Sequence, residues 1–190
     1  MRSRKRPIRH DQWRYRDRWR IEAAFCHLKN VRCMGTRYDK LAANFVPVVS
    51  VRPFRPADAP ACADIYDRSW HAGHPYTPRR IDLAAFERAI EDRSVIVVEA
   101  DGIVLGFAAV HLPERFVHHL YVEPTAFGRG IGRALLDGAV RLAGGPATLK
   151  CQTRNGRAMA FYLRAGWIGG ETGEEADTGP WQRMHSPPNP

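Results

Sequence analysis

Residues 120–136, LYVEPTAFGRGIGRALL, constrain the fold of this 190-residue chain more than any other stretch. They read as a buried strand ending in Val-Glu-Pro, a short connection, a glycine-rich turn and an amphipathic helix. Gly128, Gly130 and Gly132 carry no side chains, so main-chain amides of the turn and the first helical residues can close directly on an anion. The positive end of the helix dipole adds to that attraction. Strand, glycine turn and helix N-terminus together make a cradle for a diphosphate, which points to a phosphate-bearing cofactor.

Around this unit helix and strand signals alternate. A strand over 48–54 is followed by a helix that starts at Pro56-Ala57-Asp58 and runs toward Trp70. Residues 71–78, with Gly73, Pro75 and Pro78, read as a loop. Ile81, Ala85, Phe86 and Ile90 have helical spacing, and Ser94 to Ala100 is a β-branched run. Asp101-Gly102 is a hairpin turn into a strand over 103–110, and 116–122 is a further strand. After the helix over 131–142 come a strand at 147–152 and a helix at 155–165 stopped by Gly166. Trp167 and Trp181 mark two last short strands around a Gly/Glu-rich loop. A hairpin in the first half and βαβ units in the second predict a mixed sheet with helices on both faces.

The charge divides the chain in two. The formal net charge is +9, yet residues 1–46 hold 13 Lys and Arg against 4 Asp and Glu, while the remainder holds 16 of each. The main domain, expected over 49–185, therefore has no overall bias toward nucleic acid. Residues 1–46 read as a basic segment, helical or partly disordered, with an apolar stripe at Ile21, Phe25 and Leu28. Residues 186–190 read as a flexible tail. Cys26, Cys33, Cys62 and Cys151 form no CxxC pair, and no metal site is expected. No apolar run reaches the roughly 20 residues that span a bilayer, and no secretory signal is present, so a cytoplasmic protein without membrane attachment is expected.

Three linked pieces resemble the GNAT acyltransferase superfamily over about residues 49–184. They are LYVEP (120–124), GRGIGRALL (128–136) and NGRAMAFYLRAGW (155–167), in order and suitably separated. The resemblance implies an α/β (α+β) acyl-CoA N-acyltransferase fold, a mixed sheet of six to seven strands flanked by about four helices. It implies acetyl-CoA as cosubstrate and direct acetyl transfer to a primary amine. By the same match the strand backbone at Leu120, Tyr121 and Val122 would pair with the pantetheine amides. Amides of Gly128, Arg129, Gly130, Ile131, Gly132 and Arg133 would take the diphosphate. Asn155 would bond the cofactor arm or cap its own helix. Tyr162 lies two helical turns on, and its hydroxyl would protonate departing coenzyme A, unless it is an ordinary core aromatic. One departure stands out: Phe127 occupies the signature's first position, where Gln or Arg is usual. A Rossmann site is disfavoured, because no acidic residue stands at a strand end about 20 residues on.

Amine acetylation also needs a base to take the ammonium proton. Strict alternation along the strand places His118 and His119 on opposite faces, with His118 beside Leu120. His118 resembles a position where some relatives carry a catalytic histidine, and it competes with water relayed from backbone carbonyls. Phe116 cannot serve. Lys150 sits where some protein N-terminal acetylating members carry a glutamate, which argues against that subgroup; a small-molecule amine acceptor is favoured, with a polyamine, an amino acid and a protein N-terminus also open. In the loop 69–78, Trp70, His71, His74 and Tyr76 are candidates to line the acceptor pocket, or they are ordinary surface aromatics of a capped loop. Dimers are frequent in the superfamily, so a homodimer is a further expectation.

Residues 4–46 resemble the C-terminal end of insertion-sequence transposases with the DDE catalytic set. The match rests on R-x-x-I-E-x-x-F-x-x-L-K and TRYDKLAANF, with Glu22 as the last carboxylate. The other two carboxylates and the preceding core are missing, so the segment reads as a fusion remnant without transposase chemistry. Its basic face suits weak, non-specific polyanion contact. The competing functional reading is thus a nucleic-acid-binding fusion whose second domain acts as a coenzyme A-binding sensor or scaffold.

Overall fold

The computed structural model describes residues 49–188. The basic segment of residues 1–46 and the last two residues lie outside this range. Seven strands form one sheet in the order β1-β2-β3-β4-β5-β7-β6. The strands are β1 (Val49–Pro53), β2 (Ser94–Ala100), β3 (Ile103–His111), β4 (Phe116–Val122), β5 (Thr148–Gln152), β6 (Ile168–Glu175) and β7 (Gly179–His185). Four helices cover it: α1 (Ala59–Gly73), α2 (Leu83–Ile90), α3 (Ile131–Leu142) and α4 (Gly156–Arg164). Every neighbouring pair is antiparallel except β4 and β5, which run parallel. This is the mixed sheet with helices on both faces that the alternating pattern predicts.

Two apolar cores sit on opposite faces of the sheet. On one, Ile131, Leu135, Leu136 and Ala139 of α3 meet Ile96, Val98, Ala108 and Val110, with Tyr162 and Trp167 beside them. On the other, Tyr66 and Trp70 of α1 and Phe86 of α2 meet Val97 and Phe107. Phe86 and Phe107 are fully buried and meet edge to face, with centroids 5.2 Å apart. Each buried ring contributes roughly 1.5–3 kcal/mol. Asp82 caps α2 by accepting from the Ala85 amide at 2.8 Å.

Three expectations change. Residues 71–73, read as the start of a loop, continue α1 to Gly73. The Gly/Glu-rich stretch is not a loop but most of β6, paired with β7 from Ile168↔His185 to Glu175↔Gly179. Its low strand propensity is overridden by the ladder that β7 offers. Ser186, read as the start of a flexible tail, is buried. Its amide donates to the Ala147 carbonyl at 2.8 Å, and its Oγ accepts from the Ala147 amide at 2.9 Å.

Candidate active site

The sheet opens between β4 and β5. Their pairing is limited to Phe116↔Thr148 and Val117↔Leu149, extended by one bond from the Thr148 amide to the Arg115 carbonyl at 3.0 Å. Beyond Val117 the two strands have no paired residues, so residues 118–122 present an unpaired backbone edge to a cleft. On its other side β4 is tied to β3 from Gly106↔Val122 to His111↔Phe116, with one irregularity between Ala109 and Val110. The stretch Leu120, Tyr121 and Val122 is therefore held by β3 on one side, with its other edge free of β5. Leu120 packs toward the α3 core, Val122 is buried in it, and Tyr121 turns to the other face, 4.4 Å from the Tyr66 ring. Glu123, at the strand end, accepts from Arg68 of α1 at 2.7 and 3.1 Å.

The histidine pair differs from the alternating expectation. The β3–β4 register runs Ala109↔His119 and then Val110↔Val117, which leaves His118 as the extra residue of a bulge. The bulge resets the parity of the strand. Val117 joins Leu120 and Val122 on the α3 side. His118 instead gathers with Phe116, His111 and His119, at centroid distances of 4.6, 6.2 and 6.3 Å. It thus lies on the α1–α2 side of the sheet, not on the face of Leu120. His118 is exposed, and partial desolvation lowers its pKa, with Arg93, His111 and Lys150 acting in the same direction. His119, which the sequence reading left without a role, lies under α1, 5.3 Å from the Tyr66 ring, with Nδ1 buried and unpartnered among the described residues. Burial pushes its pKa down to about 4.

At the far end of the cleft lies the glycine turn. Gly128 and Gly130 have φ of 79° and 81°, and a β-carbon built on either meets nothing within 4 Å. The left-handed backbone suits glycine, and the space outside it is open. Gly130 is the N-cap of α3 and offers no capping side chain. The first amides of that helix therefore lack a side-chain acceptor, the condition under which an anion is bound. Gly132 instead faces the Phe161 ring, 3.3 Å from its would-be β-carbon. Ile131 is buried, so only its main chain belongs to the turn. Arg129 is exposed, while Arg133 is held by Asp137 at 2.9 and 3.0 Å.

Helix α4 packs against β5 and β6. Asn155 caps it, its Oδ1 accepting from the Ala158 amide at 3.1 Å. The cap leaves Nδ2 as a donor, close to Gly73 at the end of α1. Tyr162 is buried between Phe161 and Trp167, and burial, with nearby Cys151, raises its pKa well above the usual phenol range. The Cys151 thiol is buried and pushed up to about 12. Lys150 pairs with Glu175 at 2.7 Å and lies 4.2 Å from the Trp181 ring centroid.

The loop candidates separate. Trp70 is buried, its Nε1 donating to the Thr77 carbonyl at 2.9 Å, and it stacks on buried His74 at 4.2 Å. Both hold the loop together. His71 is exposed and meets the Asp67 carbonyl of its own helix at 2.7 Å. Only Tyr76 reaches the cleft wall, donating its hydroxyl proton to Gln152 Oε1 of β5 at 3.2 Å, with Arg154 over its ring at 5.7 Å. Among the described residues no three His, Cys, Asp or Glu side chains gather as a metal site. None of their helices is long and apolar enough to cross a membrane.

An unpaired strand edge, an open amide cradle and a buried phenol suit an extended carrier with two amides, a diphosphate and a thioester. Comparison with known proteins gives the family. The pattern that defines the Acetyltransferase (GNAT) family matches residues 59–167. The N-alpha-acetyltransferase RimI of Mycobacterium tuberculosis is 30% identical over 128 residues, covering 63% of this chain and 78% of that protein. An uncharacterised protein of Mycobacterium leprae is 31% identical over 137 residues, or 67% of this chain but only 36% of that longer protein. A GCN5-related N-acetyltransferase structure from Rhodopseudomonas palustris superposes with a TM-score of 0.63 at 22% identity, covering 74% of this chain and 94% of that one. The yncA protein of Salmonella typhimurium, solved with its cofactor acetyl-CoA, gives 0.55 at 22% identity, covering 72% and 92%. Fold and family match together define a GNAT-type N-acetyltransferase. The chain belongs to the acetyltransferase (GNAT) family.

Proposed function

We propose that this enzyme uses acetyl-CoA as cosubstrate and passes the acetyl group to a primary amine by direct attack. The observation that carries the reading is the loss of β5 pairing beyond Val117, which leaves the edge at Leu120 to Val122 free in front of the Gly128–Gly132 turn. Bound carrier supplies an activated thioester, and the chain's residues do the rest. The strand edge takes the pantetheine amides and the turn amides take the diphosphate. Asn155 offers Nδ2 to the carrier arm.

His118, neutral near pH 7 because its pKa lies below the ordinary imidazole value, accepts the proton of the acceptor ammonium. Tyr162 keeps its proton throughout the physiological range and delivers it from Oη to the leaving sulfur. Cys151 stays a thiol, which disfavours an acyl-enzyme. The acceptor is read as a small-molecule amine, since Lys150 is tied to Glu175 where a base would be needed for the N-terminal acetylating subgroup. The likeness to RimI favours a second acceptor class, the α-amine of a protein.

Calorimetry with acetyl-CoA, followed by thiol release across polyamines, amino acids, aminoglycoside-type amines and N-terminal peptides, tests both layers. Absence of any carrier binding at millimolar concentration would sink the cosubstrate assignment. Turnover confined to peptides would replace the small-molecule reading with the second one.

A further inference from the structure

Phe127 removes a polar side chain from the phosphate-facing turn, and its ring holds a cation from elsewhere. The Arg157 guanidinium, on the first turn of α4, lies 4.9 Å from the Phe127 ring centroid. Phe127 is half-buried and packed against the α3 core, so its ring is a fixed platform. Arg157 is exposed, and no carboxylate among the described residues pairs with it. The other cations of the turn are less suited. Arg133 is engaged by Asp137 and reaches the Ala165 carbonyl at 3.4 Å. Arg129 has neither a ring nor a carboxylate to orient it among the described residues.

We infer that Arg157, held on the Phe127 ring, is the side-chain cation for the carrier's diphosphate, replacing from α4 the polar residue that Phe127 displaces from the turn. A guanidinium lying over a phenyl face is restrained in orientation, yet its N–H groups stay free to meet two phosphate oxygens. The departure at Phe127 is then a relocation of the charge, not its loss. This inference rests on the acetyl-CoA reading above.

The test uses the full chain and calorimetry with coenzyme A, 3′-dephospho-coenzyme A and pantetheine. Arg157→Gln should weaken coenzyme A and its 3′-dephospho form equally, by about tenfold, equivalent to about 1.4 kcal/mol. Pantetheine, which lacks the diphosphate, should bind as in the parent. Phe127→Leu should produce part of the same loss, and Phe127→Arg should restore affinity in the Arg157→Gln background. An unchanged affinity of Arg157→Gln for both nucleotides overturns the inference. So does a loss confined to coenzyme A, which would place Arg157 on the 3′-phosphate. Failure of the parent itself to bind coenzyme A overturns the underlying cosubstrate reading, and the two failures are told apart by that control. Because Arg157 is exposed, its variant should melt as the parent does.

Discussion

Gly106 of β3 lies so close to Tyr121 of β4 that a β-carbon added to it would stand 2.7 Å from the Tyr121 carbonyl oxygen. The same atom would meet Leu135 Cδ1 at 2.9 Å and the Val122 Cα at 3.2 Å. Two of these neighbours are backbone of the strand that borders the cleft, so neither can turn aside. Gly106→Ala should therefore lower stability by about 1–3 kcal/mol, as overpacking does. It should also weaken carrier binding by shifting the Leu120–Val122 edge. Denaturant titration together with calorimetry checks both, and a variant as stable as the parent would contradict the close contact.

Asp58 is the hub of a half-buried ion pair. It accepts from the Arg52 guanidinium at 2.7 and 2.9 Å and from the Arg55 amide at 2.7 Å, while Arg52 Nε also donates to Glu99 at 2.7 Å. Asp58→Asn leaves Arg52 partly uncompensated and should cost about 3 kcal/mol. The Arg52 contact holds the Asp58 carboxyl below the usual range. Its contribution is thus complete above the unfolded-state value near pH 4 and is lost as pH falls through the lower folded value. Acid unfolding followed by circular dichroism should show this loss in the parent and not in the Asn variant.

His119 acts in a higher window. Burial sets its pKa to about 4, helped by His118, Arg93 and Arg79 and opposed by the Ala89 backbone. Between about 6.5, the ordinary value, and about 4, the unfolded chain binds the extra proton, so stability falls as pH drops across that range. The loss amounts to about 3 kcal/mol for a shift of this size. His119→Gln should flatten the slope of stability against pH between 6.5 and 4. A slope equal to the parent's would assign the effect elsewhere.

His118 and Tyr162 should separate in kinetics. The parent's rate should fall on the acid side through a pKa below about 6.5, and His118→Gln should remove that limb and reduce kcat by about 10²-fold. Tyr162→Phe should reduce kcat by a similar factor with no change in the acid limb or in the melting temperature. Its ring is buried against Phe161 and Trp167, so a phenyl ring fills the same space. An unaltered kcat in either variant rules that side chain out of proton transfer.

The local signals were readable because each is contained in one stretch of chain. The glycine turn, the Asn155 cap and the strand at 116–122 depend on neighbouring residues, and the structure places them where their spacing predicts. What depends on a partner strand was not. The bulge at His118 exists because β3 and β4 differ by one residue between two ladder segments, and no feature of FVHHLYV marks the extra one. Residues 169–175 look like a loop in composition and become a strand only because β7 runs alongside. Trp70 and His74, at the end of α1, resembled pocket residues because burial cannot be told from function in an aromatic stretch of sequence. Arg157 lies inside a stretch quoted for its Asn and Tyr, and its stack on Phe127 joins positions 30 apart in number that the sequence does not relate.

The bare margin of β4 has a second consequence. Amide and carbonyl groups left without strand partners invite a strand from another molecule, and residues 118–122 have no partners on β5. On the proposed reading, a carrier lying along that margin would act as a stopper against polymerisation. Protein starved of coenzyme A on prolonged storage should then self-associate faster than protein kept saturated with it, which would tie the keeping quality of the enzyme to the supply of the proposed carrier.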